Sequence, residues 1–376
     1  KNVNRLKNFV KTFRFISGFK NTAHKSDRFT VGLNHMADWH DDERALLFSS
    51  SFPPPLNSSS PHLVTPTQTR RLDPSSSSSA PPSSPLQDLS EINWAGPQNP
   101  TGSSVVPLVR NQGMCGSCWA FVSAAMTESS VRINSGSKVP LSAQELIDCD
   151  TDYNRGCLGG NPIFAFEYIM SEGLSGWYAY PYKEQSGRCM RYQTLPLASI
   201  QGYLIISSLN QPMIQKFLAQ GPVAVGVCGT DQSFLFYSGG IYNALNCCTL
   251  LNHALLIVGY GHDSASNLDY WIAQNSWGPM WGEKGFMRIL RTNVIGSSGQ
   301  CGLAVSPSTA IGGFAMNIGV SKREMGNYVD KLKEWTSENL QMLTLMTASM
   351  MMLLSLFLFS YGWIERKKER ERRRMI

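Results

Sequence analysis

The spacing of apolar residues at the start of the chain predicts a helix. Phe9, Phe13, Ile16 and Phe19 recur at intervals of three and four positions, and basic residues occupy much of the remaining surface. Such intervals place the four side chains on one face of an amphipathic helix. We therefore predict a small helical unit over residues 1–48.

Two helical patterns and four strand-like runs follow in the middle of the chain. The helical patterns cover residues 118–133 and 162–172, and the strand-like runs cover 222–228, 254–260, 270–274 and 285–290. Gly and Pro separate these runs, as they do at strand ends. Because helices come first and strands second, the pattern favours two lobes of an α+β fold over alternating βαβ units. We assign this body to residues 88–313.

Residues 49–87, between the helical unit and this body, are predicted to be a disordered linker. Within residues 49–85, 13 of 37 positions are Ser and 9 are Pro. A segment of this composition buries too little apolar surface to offset the loss of chain entropy on folding.

The apolar pattern near the C-terminus predicts a membrane-spanning helix. Residues 340–363 contain no charged side chain over 24 positions, enough for a helix to cross a bilayer. A predicted juxtamembrane segment, 314–339, precedes this run, and a basic tail, 364–376, follows it. Positive charge favours the cytosolic side, so the body would lie in the lumen or outside the cell. The alternative is a buried C-terminal helix of the core.

Composition and charge exclude several functional classes. A hydrophobic content of 42% and 32 glycines are typical of a globular chain, not of a fibrous or wholly disordered one. The formal charge is +6, but residues 86–313 carry 11 basic and 14 acidic side chains. This segment has no basic surplus with which to bind phosphates, so no nucleic-acid partner is expected.

Cysteine spacing indicates a nucleophile. The nine cysteines are an odd number, so at least one stays outside any disulfide within the chain. Cys115 and Cys118 could form a redox pair or half a zinc site, but neither a βαβ context nor a second close Cys or His pair accompanies them. The third interpretation is one disulfide cysteine beside one nucleophile. Cys118 begins a predicted helix, whose positive dipole end favours the thiolate.

Candidate partners for a thiolate lie downstream. A cysteine nucleophile needs a proton donor and a group that orients this donor. His253 opens the run Asn252-His253-Ala254-Leu255, and Asn275 begins the motif Asn275-Ser276-Trp277-Gly278. This order and spacing of Cys, His and Asn is a known signature of papain and the cathepsins.

With these motifs the chain resembles the papain-like cysteine proteases, in the cathepsin L-like branch, over about residues 1–45 and 88–310. The resemblance implies a papain-like α+β fold with a helical left lobe and a β-barrel-like right lobe. It requires no metal and no cofactor.

The resemblance also implies roles for individual residues. Cys118 would be the nucleophile, and His253 its ion-pair partner and proton donor. Asn275 would orient the imidazole, and Trp277 would shield that contact from water. The side-chain amide of Gln112 and the backbone N–H of Cys118 would form the oxyanion hole.

Substrate-binding residues follow from the same resemblance. Gly159 and Gly160 would pair with the substrate backbone. The pocket for the second residue before the cut would be lined by Asn161, Pro162, Gly226, Leu251 and Ser306. Ser306 offers no carboxylate at the pocket floor, so apolar or aromatic side chains should be preferred over basic ones. Nothing between Cys157 and Cys189 resembles the occluding loop of cathepsin B, which favours endopeptidase action.

The family's disulfide pattern accounts for most of the cysteines. It implies the pairs Cys115–Cys157 and Cys149–Cys189, and a third bridge from Cys247 or Cys248 to Cys301. Cys228 is interpreted most simply as a buried thiol. A fourth bridge between Cys228 and Cys248 is the alternative. Such bridges imply the secretory or endolysosomal route, with the lysosome or the cell surface as the destination.

The N-terminal unit resembles the family's inhibitory propeptide. The helix motif of these propeptides is matched in register at Arg5, Phe9 and Ile16. The motif after the helix is matched at Gly32, Asn34 and Asp38, with Met36 at its Phe position. We expect the true N-terminus to lie upstream of Lys1.

We therefore predict a membrane-tethered, monomeric cysteine endopeptidase made as a zymogen. Its partners would be peptide and protein substrates, its own propeptide, and a bilayer. One alternative is a catalytically silent homologue that acts as a binding module. Another is a soluble lysosomal enzyme whose apolar C-terminus is trimmed or packs as a helix.

Overall fold

The structure, a computed structural model, describes residues 2–22, 28–48, 62–64 and 90–316. Among these residues, no helix is both long enough and apolar enough to cross a bilayer. The predicted membrane-spanning helix at 340–363 and the predicted basic tail at 364–376 lie outside the described residues, as does most of the predicted juxtamembrane segment.

Seven α-helices occur in the described part of the chain. They are α1 (Asn2–Thr22), α2 (Asp41–Ala45), α3 (Cys118–Ser135), α4 (Ala143–Cys149), α5 (Pro162–Glu172), α6 (Gln211–Leu218) and α7 (Gln232–Leu235). The two helical patterns predicted in the body are α3 and α5. Helix α3 ends before Gly136, whose φ of 73° is left-handed. Helix α5 begins after Asn161, whose side chain accepts a hydrogen bond from the backbone N–H of Ile163.

The strands form two sheets. They are β1 (Phe29–Val31), β2 (His62–Val64), β3 (Ile92–Asn93), β4 (Leu174–Ser175), β5 (Pro196–Ser199), β6 (Gly202–Ile205), β7 (Val223–Val227), β8 (Tyr237–Tyr242), β9 (His253–Asp263), β10 (Leu268–Gln274), β11 (Phe286–Leu290), β12 (Ser308–Ile311) and β13 (Phe314–Ala315). The large sheet has the order β1-β8-β11-β10-β9-β7-β12-β6-β2, with β3 paired to β9. The small sheet has the order β13-β5-β4. Because β13 pairs with β5, the folded body continues past the predicted boundary at residue 313.

The four strand-like runs of the sequence become neighbours in the large sheet. They correspond to β7, β9, β10 and β11, which lie side by side in the order β11-β10-β9-β7. Residues 253–261 of β9 are all buried. A strand covered on both faces carries an uninterrupted apolar run instead of an alternating pattern, which explains the sequence of β9.

The helical lobe is built around α3. Every residue from Cys118 to Val131 is buried, and α3 contacts α4, α5 and β9. The buried hydroxyls of this helix are satisfied locally, since Ser123, Thr127 and Ser129 each donate to the carbonyl oxygen four residues earlier. Helix α3 thus spans the boundary between the helices and the large sheet, with Cys118 at its start.

The N-terminal unit joins the large sheet through β1. Strand β1 pairs with β8 in an antiparallel register, with Thr30 opposite Gly239. Gly240 permits this approach, because its φ is 87° and a Cβ there would lie 2.3 Å from the carbonyl oxygen of Arg28. Within the predicted linker, β2 pairs with β6 on the opposite edge of the sheet. The remainder of the linker lies outside the described residues.

The predicted apolar face of α1 is buried only in part. Ile16 is buried and Phe19 packs against the core, but Phe9 and Phe13 are exposed. Phe9 and Phe13 therefore do not belong to the buried face, contrary to the prediction. The buried stripe instead includes Thr12, because the hydroxyl of Thr12 accepts a hydrogen bond of 3.0 Å from the guanidinium of buried Arg44.

Candidate active site

Cys118 lies at the first position of α3 and is buried. The eight other cysteines all form disulfides, so Cys118 is the cysteine that takes part in none. The first turn of α3 carries no acidic side chain. The positive end of the helix dipole therefore acts on the Cys118 sulfur without a carboxylate beside it in that turn, which favours the thiolate.

His253 and Asn275 are brought together by neighbouring strands. His253 opens β9, and Asn275 follows the last residue of β10, to which β9 is paired. The Nε2 atom of His253 lies 2.8 Å from Oδ1 of Asn275. This contact gives Nε2 the proton, because an amide oxygen accepts hydrogen bonds and cannot donate them. The other ring nitrogen, Nδ1, is buried and has no hydrogen-bond partner among the described residues.

Trp277 covers the His253–Asn275 contact. Its indole stacks on the imidazole with the ring centroids 4.5 Å apart, and Trp277, His253 and Asn275 are all buried. Burial lowers the pKa of His253 to about 4, against the opposing effect of the Asn275 hydrogen bond. In this form of the protein the imidazole is therefore neutral at neutral pH. Less burial, or a negative charge beside the ring, would raise this pKa.

Gln112 is held at three points. Its backbone N–H donates to the carbonyl oxygen of Ser276 at 2.8 Å, and its side-chain Oε1 accepts from the Ser276 hydroxyl at 2.6 Å. The hydroxyl of Tyr182 donates to the Gln112 carbonyl oxygen at 2.5 Å. The hydrogen bond to Oε1 fixes the orientation of the side-chain amide. Its Nε2 donates to the carbonyl oxygens of Leu47 and Cys115 at 2.9 and 2.8 Å.

The last described residues of the N-terminal unit lie across this site. The carbonyl oxygen of Leu47 accepts the Gln112 hydrogen bond, as a reacting carbonyl would in an oxyanion hole. The ring of Phe48 meets those of His253 and Trp277 edge-on, with centroids 6.2 and 6.1 Å away. A Cβ at Gly116 would come within 2.6 Å of the Phe48 carbonyl oxygen. Residues 47–48 thus contact Gln112, His253 and Trp277, three of the predicted site residues.

The two glycines predicted to bind substrate backbone lie next to a turn and to the start of α3. Gly159 follows a 3₁₀ turn with a φ of 122°, a conformation open mainly to glycine. A Cβ at Gly160 would lie 2.7 Å from the indole of Trp119, the residue after Cys118. The Gly159-Gly160 step therefore packs directly against the start of α3.

The predicted pocket residues are distributed over several elements. Asn161 is buried and caps α5, with Pro162 at the first helical position, so the side-chain oxygen of Asn161 has a structural role that the prediction did not include. Gly226 lies on β7 opposite Ala254, the residue after His253. Leu251, just before β9, and Ser306, just before β12, are both partly exposed.

The described residues contain four disulfides. The structure pairs Cys115 with Cys157, Cys149 with Cys189, Cys247 with Cys301, and Cys228 with Cys248. The first two pairs coincide with those implied by the resemblance, and of the adjacent cysteines it is Cys247 that reaches Cys301. The simplest interpretation of Cys228, a buried thiol, was wrong. An apolar run before a cysteine indicates burial but not the distance to another sulfur, so the sequence could not distinguish these states.

Ser276 and Tyr182 are functional candidates that sequence reasoning missed. Both fix the position of Gln112, through the hydrogen bonds described above. The hydroxyl of Tyr182 also lies 3.1 Å from that of Ser117, the residue before Cys118. A signal for Ser276 was present in its place between Asn275 and Trp277. Tyr182 is distant from every motif, and only the fold reveals it.

Comparisons with known proteins agree with this geometry. Residues 91–311 match the model of a family described as "Papain family cysteine protease". The thiol protease SEN102 of Hemerocallis sp. is 39% identical over 221 residues, which are 58% of this chain and 59% of that protein. The germination-specific cysteine protease 1 of Arabidopsis thaliana is 41% identical over 202 residues, 53% of each chain. The matched region thus spans between half and three fifths of the length of these two relatives.

Solved structures of precursor forms resemble the whole described body. The recombinant stem bromelain precursor superposes with a TM-score of 0.68 at 30% identity, covering 83% of this chain and 92% of that one. Procathepsin L 3 from the larval midgut of Tenebrio molitor superposes with a TM-score of 0.64 at 28% identity, covering 82% and 91%. Both coverages exceed the length of the matched family domain, so the likeness includes residues N-terminal to it.

Proposed function

Because the chain belongs to the papain family of cysteine proteases, we propose that it is a cysteine endopeptidase made as an inactive precursor. The observation that carries the proposal is the arrangement around one carbonyl group. Gln112 donates to the carbonyl oxygen of Leu47, and the His253–Asn275 pair lies beside the next residue, Phe48. A substrate carbonyl in the place of Leu47 would meet an oxyanion donor and a proton donor together.

The mechanism follows from the chemistry of these side chains. In the uncovered site the Cys118 thiolate attacks the carbonyl carbon, and the oxyanion that forms accepts hydrogen bonds from Gln112 Nε2 and the backbone N–H of Cys118. His253 gives its proton to the leaving amine, and an acyl-thioester remains on Cys118. A water molecule, deprotonated by His253, hydrolyses the thioester. Asn275 fixes the ring so that one nitrogen faces the sulfur throughout.

The N-terminal unit acts as the inhibitor in this proposal. Leu47 and Phe48 occupy the site, and β1 holds the unit to the edge of the large sheet. Ion pairs stabilise the unit itself, with Arg5 binding Glu43 at 2.7 Å. Removal of the unit opens the cleft and exposes His253, which allows the imidazolium–thiolate pair to form.

The proposed substrate pocket favours apolar or aromatic residues two positions before the cut. Gly226, Leu251 and Ser306 supply no negative charge, so a basic side chain would gain no partner there. The four disulfides support an oxidising compartment, in the secretory or endolysosomal route.

Membrane tethering is the second part of the proposal. It rests on the charge-free run 340–363 and the seven basic residues within 365–374, both features of the sequence. Deletion of residues 322–376 should then move the enzyme from the alkaline-resistant membrane fraction to the soluble fraction. Full-length protein released by alkaline carbonate would disprove the tether without affecting the proposed activity.

The activity is tested by labelling and hydrolysis. The full chain, after removal of the N-terminal unit by limited proteolysis, should react with a thiol-directed epoxide inhibitor at Cys118 and hydrolyse a fluorogenic dipeptide. Cys118→Ser should lose both properties while its circular dichroism stays unchanged, because an alcohol is far less acidic than a thiol. A folded protein that is neither labelled nor active would identify a silent binding module instead.

A further inference from the structure

The ring of Phe48 fills a pocket beside His253. The pocket is bounded by the rings of His253 and Trp277 and by the backbone of Gly229, and the ring of Phe234 packs against both of those rings. Phe234 meets both His253 and Trp277 edge-on, at centroid distances of 6.5 and 5.8 Å, so these walls support one another. An aromatic guest in an aromatic pocket gains edge-to-face contacts in addition to burial of its apolar surface.

Gly229 is required for the space in this pocket. A Cβ at Gly229 would lie 3.1 Å from a ring carbon of Phe48, 3.4 Å from Cβ of His253 and 3.5 Å from a ring carbon of Phe234. Gly229 does not have a positive φ, so its backbone conformation is open to any residue. The absence of a side chain at Gly229 therefore leaves the space for the Phe48 ring, and a branched side chain there would compete with the ring for it.

A disulfide holds the wall that contains Gly229. The neighbouring residue Cys228, directly after β7, is bridged to Cys248 on the segment that leads to His253. The backbone N–H of Gly229 donates to Oδ1 of Asn252 at 2.9 Å, and the other amide atom of Asn252, Nδ2, lies 3.5 Å from the Cys228 sulfur. The hydroxyl of Thr230 lies 3.4 and 3.5 Å from the two bridged sulfurs.

A second bridge fixes the same wall from behind. Cys247, adjacent to Cys248 in sequence, is bonded to Cys301, and the backbone N–H of Cys228 donates to the Cys301 carbonyl oxygen at 2.8 Å. The adjacent residues Cys247 and Cys248 thus link one short segment covalently to Cys301 and to Cys228. This double attachment restricts movement of the Gly229 wall away from His253.

The position of the pocket relative to the reacting bond follows from the proposed mechanism. His253 gives its proton to the leaving amine, so the residue that carries this amine must lie beside the imidazole. The pocket is bounded by that imidazole and by Trp277 stacked on it. Its occupant in a substrate would therefore be the side chain of the first residue after the cut.

We propose that Gly229 and the Cys228–Cys248 disulfide form the wall of a pocket that selects an aromatic side chain in the residue after the cleaved bond. This selection rests on the proposed peptidase function. It concerns the C-terminal fragment of the substrate, which leaves when the acyl-thioester forms. The N-terminal unit uses the same pocket for Phe48, so inhibitor and substrate compete for it.

The test compares two internally quenched peptides that differ only in the residue after the cut, Phe in one and Gly in the other, with the cut position verified by mass spectrometry. The enzyme is the full chain after proteolytic removal of its N-terminal unit. The Phe peptide should have a kcat/KM about tenfold higher or more, because burial of an aromatic side chain in a preformed pocket discriminates by one to two orders of magnitude.

Variants connect the preference to the wall. Gly229→Val should reduce the ratio of the two kcat/KM values to about 1, since its side chain takes the place of the ring. Cys228→Ser combined with Cys248→Ser should reduce the ratio to less than about threefold by releasing the wall. Gly221→Ala is the matched control, because its Cβ would meet only a methyl group of Ile133, at 3.1 Å, and the ratio should not change.

Each alternative outcome has a definite meaning. Equal hydrolysis of the two peptides by the unmodified enzyme would overturn the inference but leave the proposed function intact. A full Phe preference in Gly229→Val, or in the double Cys→Ser variant, would overturn the role of the wall. Failure to cleave either peptide, together with failure to react with the thiol-directed inhibitor, would overturn the proposed function and this inference with it.

Discussion

Nε2 of His253 lies 2.8 Å from Oδ1 of Asn275, beneath the indole of Trp277. The contact joins the first residue of β9 to the residue that follows β10, so the pairing of these two strands sets its geometry. Because the amide oxygen accepts from the Nε2 proton, Nδ1 is the ring nitrogen left for the proposed Cys118 thiolate. In the proposed mechanism, the pairing of these strands therefore sets the orientation of the proton donor.

Loss of Asn275 should weaken catalysis less than loss of His253. Asn275→Ala removes one buried hydrogen bond, which raises the barrier by about 1–3 kcal/mol, or roughly five- to 150-fold in kcat/KM. His253→Ala removes the proton donor itself and should cost about a thousandfold or more. Hydrolysis of a fluorogenic dipeptide by the two folded variants distinguishes the roles. Equal and complete losses would contradict this order.

Ser276→Ala should lower kcat with little change in KM. Its hydroxyl holds Oε1 of Gln112 at 2.6 Å, so the variant frees the side-chain amide to rotate away from the oxyanion. A misplaced oxyanion donor costs about 1–3 kcal/mol in the transition state. Ser171→Ala is the matched control, because Ser171 is exposed near the end of α5. An effect of Ser276→Ala on KM alone would speak against the role of Ser276.

Arg44→Met should loosen the N-terminal unit. The buried guanidinium donates to Thr12 and to the carbonyl oxygens of Met36 and Ala37, and it lies 5.2 Å from the ring centroid of Phe236. Losing these bonds should cost about 2–4 kcal/mol. Hydrogen exchange of residues 28–48 in a full chain carrying Cys118→Ala measures the effect.

The control for Arg44→Met is Arg14→Met. Arg14 is exposed on α1, so removal of its charge alters the net charge of the unit equally but breaks no buried contact. Exchange rates of residues 28–48 should stay unchanged in this variant. If both variants accelerated exchange equally, the effect would come from net charge and the buried network would not explain it.

Acid should favour the uncovered site. Burial lowers the pKa of His253 from 6.5 to about 4, so the covered state binds fewer protons than a state with an exposed imidazole between these values. Stability of the covered state is therefore complete above about pH 6.5, decreases as the pH falls toward 4, and is constant below that. A shift of this size corresponds to at most about 3 kcal/mol.

The measurement for this pH effect is hydrogen exchange of residues 28–48 in the Cys118→Ala chain, corrected for the intrinsic pH dependence of exchange. Protection should decrease between pH 6.5 and 4. The double variant Cys118→Ala/His253→Gln should lose most of this dependence of protection on pH. The same profile in both chains would assign the effect to other titrating groups.

Substrates with Leu or Phe two residues before the cut should be cleaved faster than those with Arg, and Ser306→Glu should raise acceptance of Arg. The reason is electrostatic, because a carboxylate in a partly desolvated pocket offers a guanidinium a bidentate partner. A peptide-library profile would measure both effects. Arg dominance in the unmodified enzyme would disprove the pocket assignment.

The sequence was sufficient for features that depend on local pattern or on residue identity. The boundaries of α3, α5, β7, β10 and β11 agree with the predicted runs to within two residues, because apolar periodicity and the flanking Gly and Pro act over short distances. Candidate catalytic residues such as Cys118 and His253 could be named because their chemistry requires these residue types in a known order.

Other features depended on which distant segments meet. Phe13 shares a spacing with buried Ile16, yet it is exposed, because the face of α1 that packs was decided by the partner it meets. The choice of Cys247 for Cys301 required a distance between sulfurs that adjacent positions in sequence cannot reveal.

The pocket of Phe48 illustrates the same division. The sequence by itself determined that a cysteine nucleophile, a histidine and an asparagine occur in one chain with a helical unit before them. Only the tertiary structure decided that Phe48 reaches His253, that Gly229 leaves space for its ring, and that Ser276 and Tyr182 hold Gln112. Periodicity records which face of an element is apolar. Long-range packing decides which partner that apolar face contacts. It also decides the contacts of polar side chains that belong to no motif.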